Sequence, residues 1–317
     1  LAVASVASTK KRPFKLNLGS AETSLITVNN RTPTQTKWHA VECVHLTTAA
    51  GNDTLDVRGI QADGAAINGD DWTTSVQAGD WFLAGDGNDT FAVDLGSRGH
   101  HVFEGQNGID LLLMDWSAAT QDIRRSYLGY GSYRYTTLPT DSGSNQPALV
   151  DYQGLNVERF QLTGGNGNDE LFGGTLDDIL KGGGGNDRLW GADGRGSFDG
   201  GAGTDLAVLT VASTPELGFS LKLGEARSKL LSANRGTPIQ TNWRAVEFVH
   251  LTSAAGDDVL DMRGISADAT RLNREGWDTV QAGDWFRSGD GNDTFAVDLG
   301  SRGHHIFDGQ GGTDLLV

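Results

Sequence analysis

The chain repeats itself, and the repeat limits what it can fold into. Residues 85–101, Gly85-Asp-Gly-Asn-Asp-Thr-Phe-Ala-Val-Asp-Leu-Gly-Ser-Arg-Gly-His-His101, recur unchanged at 289–305. Around them, residues 206–317 restate 1–113: Leu1-Ala-Val pairs with Leu206-Ala-Val, Phe14 with Phe219, Trp38 with Trp243, Asp89 with Asp293 and Asp110 with Asp314. A chain that restates itself over this length is built from stacked units rather than around one closed core. The first copy continues as Leu112-Leu113-Met114 where the second stops at Leu316-Val317. The expectation is therefore an excised piece of a longer array with a period near 205 residues, in which Leu1–Ser8 is not a signal peptide.

A weaker repeat lies inside that period. The frame V-E-x-x-x-L-T-x-x-x-G-x-D-x-L runs from Val41 to Leu55, from Val157 to Leu171 and from Val246 to Leu260. It divides the chain into half-unit A (1–113), half-unit B (114–205) and a second half-unit A (206–317). Phe14-Lys-Leu-Asn-Leu18 and Phe219-Ser-Leu-Lys-Leu223 alternate apolar and polar residues as half-buried strands do. Tyr127 to Tyr135 is rich in Tyr and Gly, 136–149 reads as a loop, and 61–76 is the one weak helix candidate.

Within each half-unit the beat shortens to nine residues. In half-unit B it is continuous: Gly164-Gly-Asn-Gly-Asn-Asp-Glu-Leu-Phe172, Gly173-Gly-Thr-Leu-Asp-Asp-Ile-Leu-Lys181, Gly182-Gly-Gly-Gly-Asn-Asp-Arg-Leu-Trp190, Gly191-Ala-Asp-Gly-Arg-Gly-Ser-Phe-Asp199 and Gly200-Gly-Ala-Gly-Thr-Asp-Leu-Ala-Val208. These five follow G-G-x-G-x-D-x-U-x, with U a large apolar residue. The pattern accounts for part of the high glycine content, 45 in 317 residues, about twice the average share. It also accounts for part of the acidity, 41 acidic against 25 basic residues and a net charge of −16. That charge argues against nucleic acid and anionic membranes as partners, and no apolar run is long enough to insert into a membrane. Whether the acidity is a solubilising surface or a cation-binding device depends on where the Asp residues stand.

The nonapeptides resemble the RTX, or haemolysin-type, calcium-binding repeat family. The resemblance is strong over 164–208, broken over 78–113 and 282–317, and partial at 48–56 and 253–261. It implies an all-β parallel β-roll, a β-solenoid of tandem repeats with inserted longer strands and loops. The x-U-x triplet would form a short strand with its central side chain inward, so that Leu171, Leu180, Leu189 and Phe198 form an apolar ladder. The G-G-x-G-x-D hexapeptide would turn. Calcium takes six to eight oxygens at about 2.3–2.6 Å, and carbonyls from two stacked turns plus two Asp carboxylates meet that demand.

Strands of a roll alternate sides, so turns on one edge are 18 residues apart. Several calcium ions are expected, with ligands from Gly164, Gly165, Gly167 and Asp169, from Gly182, Gly183, Gly185 and Asp187, and from Gly200, Gly201, Gly203 and Asp205. Asp169 would share an ion with the turn of Asp187, and Asp187 with that of Asp205. Weaker or absent metal is expected on the opposite edge, where Asp178 is followed by Gly196 in place of Asp and Leu176 takes a Gly position.

In half-unit A, Asp80 and Asp89 are nine apart, His101 stands at an Asp position, and Asp110 follows Asp89 by 21 residues, which implies a three-residue bulge. An ion is expected between the turns of Asp89 (with Gly85 and Gly87) and Asp110 (with Gly105 and Gly108). The second copy repeats this with Asp293, Gly289 and Gly291 against Asp314, Gly309 and Gly312, and Asp284 matches Asp80. For Asp53 and Asp258, in degraded frames, an ordinary turn and a metal turn stay open.

Other features are read structurally. His100-His101 and His304-His305 are neighbours on a strand, which points them to opposite faces, and His45 and His250 are read as structural. Cys43, replaced by Phe248 in the second copy, reads as a small buried apolar residue. Trp38, Trp72, Trp81 and their counterparts Trp243, Trp277 and Trp285 read as core or capping residues, with a sugar-stacking platform as the alternative. No H-E-x-x-H, G-x-S-x-G, Walker loop or Cys/His cluster is present, and no enzymatic activity is expected of the chain.

The resemblance implies a calcium-binding structural or adhesive module of a large secreted or surface-bound bacterial protein, exported by type I secretion and folding on calcium outside the cell. Its partners would be calcium, neighbouring repeats or further copies of itself, and surface polysaccharide. The alternatives are the repeat region of a secreted enzyme, and a carbohydrate-binding module.

Overall fold

In a computed structural model, the described residues are 2–6, 8–10, 13–17, 23–29, 32–38, 41, 43–60, 62–63, 79–98, 100–137, 149–153, 156–191, 196–211, 218–223, 228–234, 237–268, 272, 283–300 and 302–317. Among them there is no α-helix, and most strands pair in parallel. The molecule is an all-β parallel roll. It divides into two compact units, Leu1–Leu162 and Thr163–Val317.

The second unit shows most simply how the nonapeptide folds. Three residues in extended conformation put one side chain inward and two outward. Glu170–Phe172 buries only Leu171, and Arg188–Gly191 carries Leu189 above it in register. Leu206–Thr210, Phe248–Thr252, Trp285–Arg287 and Ile306–Asp308 extend this sheet. Residues nine further along the chain cross to the facing sheet, where Leu180 pairs with Phe198 and Phe198 with Trp243. Leu171, Leu180, Leu189 and Phe198 are all buried completely, two from each sheet, so the expected apolar ladder is drawn alternately from both faces. Each buried side chain of this size stabilises the roll by about 1.5–3 kcal/mol.

The first unit follows the same rule with larger side chains. Ala2–Ser5, Val44–Thr47, Trp81–Leu83, His100–Glu104 and Leu149–Gln153 form one parallel ladder. Lys15–Asn17, Thr54–Asp56, Thr90–Asp94 and Leu111–Asp115 form the other. Between them Phe82 stacks on Phe103 at 5.6 Å and Phe91 lies 5.8 Å from Phe103. The second copy reproduces this, with Phe286 on Phe307 at 5.5 Å. Cys43 is fully buried.

Longer elements interrupt the roll. Antiparallel hairpins pair Thr23–Asn29 with Thr32–Trp38, and Ser228–Asn234 with Thr237–Arg244, one in each copy. The Tyr/Gly-rich segment is a third hairpin, Ile123–Gly129 with Ser132–Thr137. That strand extends through Thr137 and the next begins at Leu149, so the expected loop is shorter at both ends; 138–148 lie outside the described residues. Of the weak helix candidate 61–76, Ala62–Asp63 is a short strand pairing with Ser97–Arg98, and the rest lies outside the described residues. That pairing gives the expected three-residue bulge its place. The extra residues between Asp89 and Asp110 make a side strand that leaves the register Thr90 to Leu111 intact.

Candidate calcium-binding turns

The turns deliver their Asp to the residue just before a strand, or in the case of Asp178 to its first residue, where the side chain folds back under the turn. Asp53, Asp80, Asp89, Asp110, Asp169, Asp178, Asp187, Asp205, Asp258, Asp284 and Asp293 are all no more than 1% exposed. Buried carboxylates cost several kcal/mol each unless a cation or hydrogen bonds compensate. Among the described residues the one buried guanidinium, Arg188, lies against Glu170 and the Leu272 carbonyl.

Backbone amides supply part of the compensation, in a regular way. One carboxylate oxygen of Asp89, Asp110, Asp187, Asp205, Asp293 and Asp314 accepts the amide N–H of the Asp one turn earlier on the same edge, and Asp53, Asp80, Asp258 and Asp284 accept the amides of Phe14, Val44, Phe219 and Val249 in the same way. The amide of Asp169 donates to Asp187 Oδ1 at 2.7 Å, and that of Asp187 to Asp205 Oδ1 at 2.8 Å, each a separation of 18 residues. In the first unit the series is Asp53 to Asp89 (2.6 Å) and Asp89 to Asp110 (2.7 Å). In the second copy it is Asp258 to Asp293 (2.8 Å) and Asp293 to Asp314 (3.1 Å). Asp53 and Asp258, whose frames are degraded, stand in these series like the rest; Ser8 adds a hydroxyl donor to Asp53 Oδ2 at 2.6 Å.

The second carboxylate oxygen points into the turn. Oδ2 of Asp89, Asp110 and Asp205 is buried without a hydrogen-bond donor. A carbon built on the first glycine of a turn would fall closer than any real contact to that oxygen and to a carbonyl of the next turn. On Gly164 it would meet Asp169 Oδ2 and the Gly182 carbonyl, and on Gly182 it would meet Asp187 Oδ2 and the Gly200 carbonyl. Gly185 and Gly203 show a second constraint: both have left-handed φ (112° and 142°), and a side chain there would strike the carbonyls of Gly167 and Gly185. The turns are thus glycine because carboxylate and carbonyl oxygens occupy the space a side chain would take. Among the described residues no three His, Cys, Asp or Glu side chains converge on one point. The donor set is backbone carbonyls with paired carboxylates, all hard oxygens, which is the chemistry calcium takes.

The electrostatics point the same way. Burial pushes the carboxyls of Asp89 and Asp205 up to about 7 and that of Asp110 up to about 6, against amide hydrogen bonds that pull them down. Neighbouring acids raise them further: Asp110 for Asp89, and Glu247 for Asp205. Burial likewise raises Asp53, Asp284 and Asp293. Without a cation these groups resist ionisation.

The edges differ. The Asp178 strand pairs directly with Gly196, so no carboxylate follows Asp178 on that edge. Asp80 and Asp284 are followed by histidine: His101 Nδ1 lies 3.1 Å from Asp80 Oδ2, and His305 Nδ1 lies 2.9 Å from Asp284 Oδ2. His101 is buried there at the Asp position. His45 and His250 stack on Trp81 and Trp285 at 5.0 and 4.8 Å, and Trp243 is buried in the core. The side chain of Trp38 and all of Trp72 and Trp277 lie outside the described residues.

Two members of the series come from outside the nonapeptide pattern. Glu158 Oε2 accepts the Asp110 amide at 2.9 Å, and Glu247 Oε2 accepts the Asp205 amide at 2.8 Å. The sequence carried a signal for them. The V-E frame sets each Glu immediately before a strand, Arg159–Thr163 and Phe248–Thr252, where the nonapeptides set Asp.

A parallel roll whose turns are lined by buried carboxylates and glycine carbonyls defines a class of repeat protein. Within it, residues 163–197 and 172–207 match the RTX calcium-binding nonapeptide repeat (4 copies). No curated protein matches the chain.

Proposed function

We infer that the chain is a calcium-binding structural and adhesive repeat module of a large secreted or cell-surface bacterial protein, and that it folds when it meets calcium. The observation that carries this is the series of buried carboxylates joined amide to carboxylate along each edge. Calcium would lie between the turns of Asp169 and Asp187, Asp187 and Asp205, Asp89 and Asp110, and Asp293 and Asp314. The chain's own residues would hold it by their Gly carbonyls and Oδ2 atoms, while Oδ1 stays on the amide. The Asp178 edge would hold it weakly. In the Asp80 and Asp284 turns, histidine would take the place of one carboxylate.

Binding and folding then share one free energy. RTX repeat proteins are typically exported by type I secretion. A chain of net charge −16 that stays open where free calcium is scarce and closes where it is abundant suits that route. The sequence units 1–113, 114–205 and 206–317 would be the repeating modules of the parent array. Calorimetric titration of EDTA-stripped protein tests the binding: calcium should evolve heat at several sites and magnesium should not. No calcium heat would sink the reading.

One observation favours saccharide contact as a second reading. The Ile123–Thr137 hairpin exposes Tyr127 and Tyr130, the latter completely and at a left-handed φ of 52°. Arg125 stacks over Tyr133, 4.4 Å from its centroid, beside Tyr127. Exposed aromatic faces beside guanidinium groups suit an acidic sugar. Glycan-array binding lost in a Tyr127→Ala/Tyr130→Ala variant would support it, and an array without hits would remove it.

A further inference from the structure

The nonapeptide turns share one oxygen arrangement: the Oδ2 of one turn's Asp and a carbonyl of the next turn converge at the first glycine. Gly164 meets Asp169 Oδ2 with the Gly182 carbonyl, and Gly182 meets Asp187 Oδ2 with the Gly200 carbonyl. The same arrangement recurs at two places where the following turn is not a nonapeptide. A carbon on Gly200 would strike Asp205 Oδ2 and the Ala245 carbonyl, and one on Gly105 would strike Asp110 Oδ2 and the Asn156 carbonyl.

Both following turns are the tripeptide x-Val-Glu, Ala245-Val246-Glu247 and Asn156-Val157-Glu158. In both the valine is buried and anchors the turn. In both the Glu accepts the amide of the preceding Asp, as the nonapeptide Asp does. A buried carboxylate oxygen that has no hydrogen-bond donor and faces a carbonyl oxygen calls for a cation. The Oδ2 atoms of Asp110 and Asp205 belong to fully buried side chains and have no hydrogen-bond donor.

We propose that each x-Val-Glu turn completes a further calcium site, with Glu158 and the Asn156 carbonyl facing Asp110, and Glu247 and the Ala245 carbonyl facing Asp205. The choice of Glu follows from the length of the turn. In a nonapeptide the carbonyl donor, such as Gly182, comes five residues before its Asp; here it comes two before the Glu. The extra methylene carries the carboxylate across the shortfall. Ala245 is held at a left-handed φ of 48°, a conformation usually left to glycine, so the short turn keeps a nonapeptide-like bend without its glycine. Calcium loading therefore runs past the end of the recognisable repeats, into the V-E frame of the next half-unit.

The inference rests on the calcium reading of the nonapeptide turns, and the test separates the two. Equilibrium dialysis of the full chain against calcium would compare wild type with Glu158→Gln, Glu247→Gln and the double variant. Glutamine still accepts the amide but brings no charge. Each single change should cost one bound calcium, or weaken one site at least tenfold, while Asp187→Asn weakens the nonapeptide sites independently. Crystals of the wild-type chain soaked in terbium give a readout free of any folding defect. Anomalous peaks should lie in the first coordination sphere of the Glu158 and Glu247 carboxylates, at about 2.3–2.6 Å. Peaks at the Asp187 turns with none at the two glutamates, or calcium counts unchanged in the double variant, would overturn the inference alone. No calcium binding by the wild-type chain would overturn the calcium reading itself.

Discussion

At the scale of single residues, each edge aspartate divides its work between two oxygens. One accepts an amide and fixes the turn, and the other waits among carbonyls. Asp187 is the clearest case, because its Oδ1 accepts the Asp169 amide while its own amide donates to Asp205. Asp187→Asn should raise the calcium concentration needed for half-saturation at least tenfold. Asp178→Asn, on the edge where Gly196 follows, should change it less than twofold. Calorimetric titration of both variants checks the contrast, and equal losses would argue against separate edges.

The raised carboxyls give a pH dependence whose sign can be worked out. Asp89 and Asp205 titrate near 7 and Asp110 near 6 in the calcium-free fold, against about 4 in an unfolded chain. Between these values the fold holds protons that the unfolded chain has released. The stability these groups lend the calcium-free fold is thus complete below about pH 4 and lost as pH rises through 6 to 7. Calcium competes with the same protons. Its half-saturating concentration should be at least tenfold higher at pH 5.5 than at pH 7.5, and a pH-independent value would place the metal away from these carboxylates.

At the scale of elements, the nine-residue beat is legible because it fixes side chains one at a time. Glycines mark the turn, a single apolar residue marks the strand, and eighteen residues return the chain to the same edge. Leu171, Leu180, Leu189 and Phe198 stand where that beat puts them. Leu180→Ala should therefore lower stability in saturating calcium by about 2–5 kcal/mol, seen as a lower melting temperature. An unchanged melting temperature would mean the ladder does not hold the sheets together. The hairpins at Thr23–Trp38 and Ser228–Arg244 were less legible. Their antiparallel partners are local, and nothing in the nonapeptide beat announces them. The two glutamates escaped for a different reason. The V-E frame was visible as a repeat, but its meaning depends on the Glu reaching the preceding Asp amide, which spacing along the chain does not reveal. Asp53 and Asp258 had poor turn consensus, and their places in the edge series come from register with Asp89 and Asp293.

At the scale of the whole molecule, a weak apolar core and a strong acidic edge combine into one device. Each turn of the roll buries a single large side chain per sheet, together with a carboxylate that opposes folding when charged. Calcium reverses the second effect, so the core has only to set the register that the metal then locks. The two copies carry the same series of Asp, His and stacked Phe, so each should respond to the ion alike. The most direct test is far-ultraviolet circular dichroism of EDTA-stripped protein as calcium is added, with magnesium as the control. The account predicts a spectrum of an open chain in chelator and a cooperative rise in β signal with calcium alone. A full β spectrum already present in chelator, and indifferent to both ions, would contradict it.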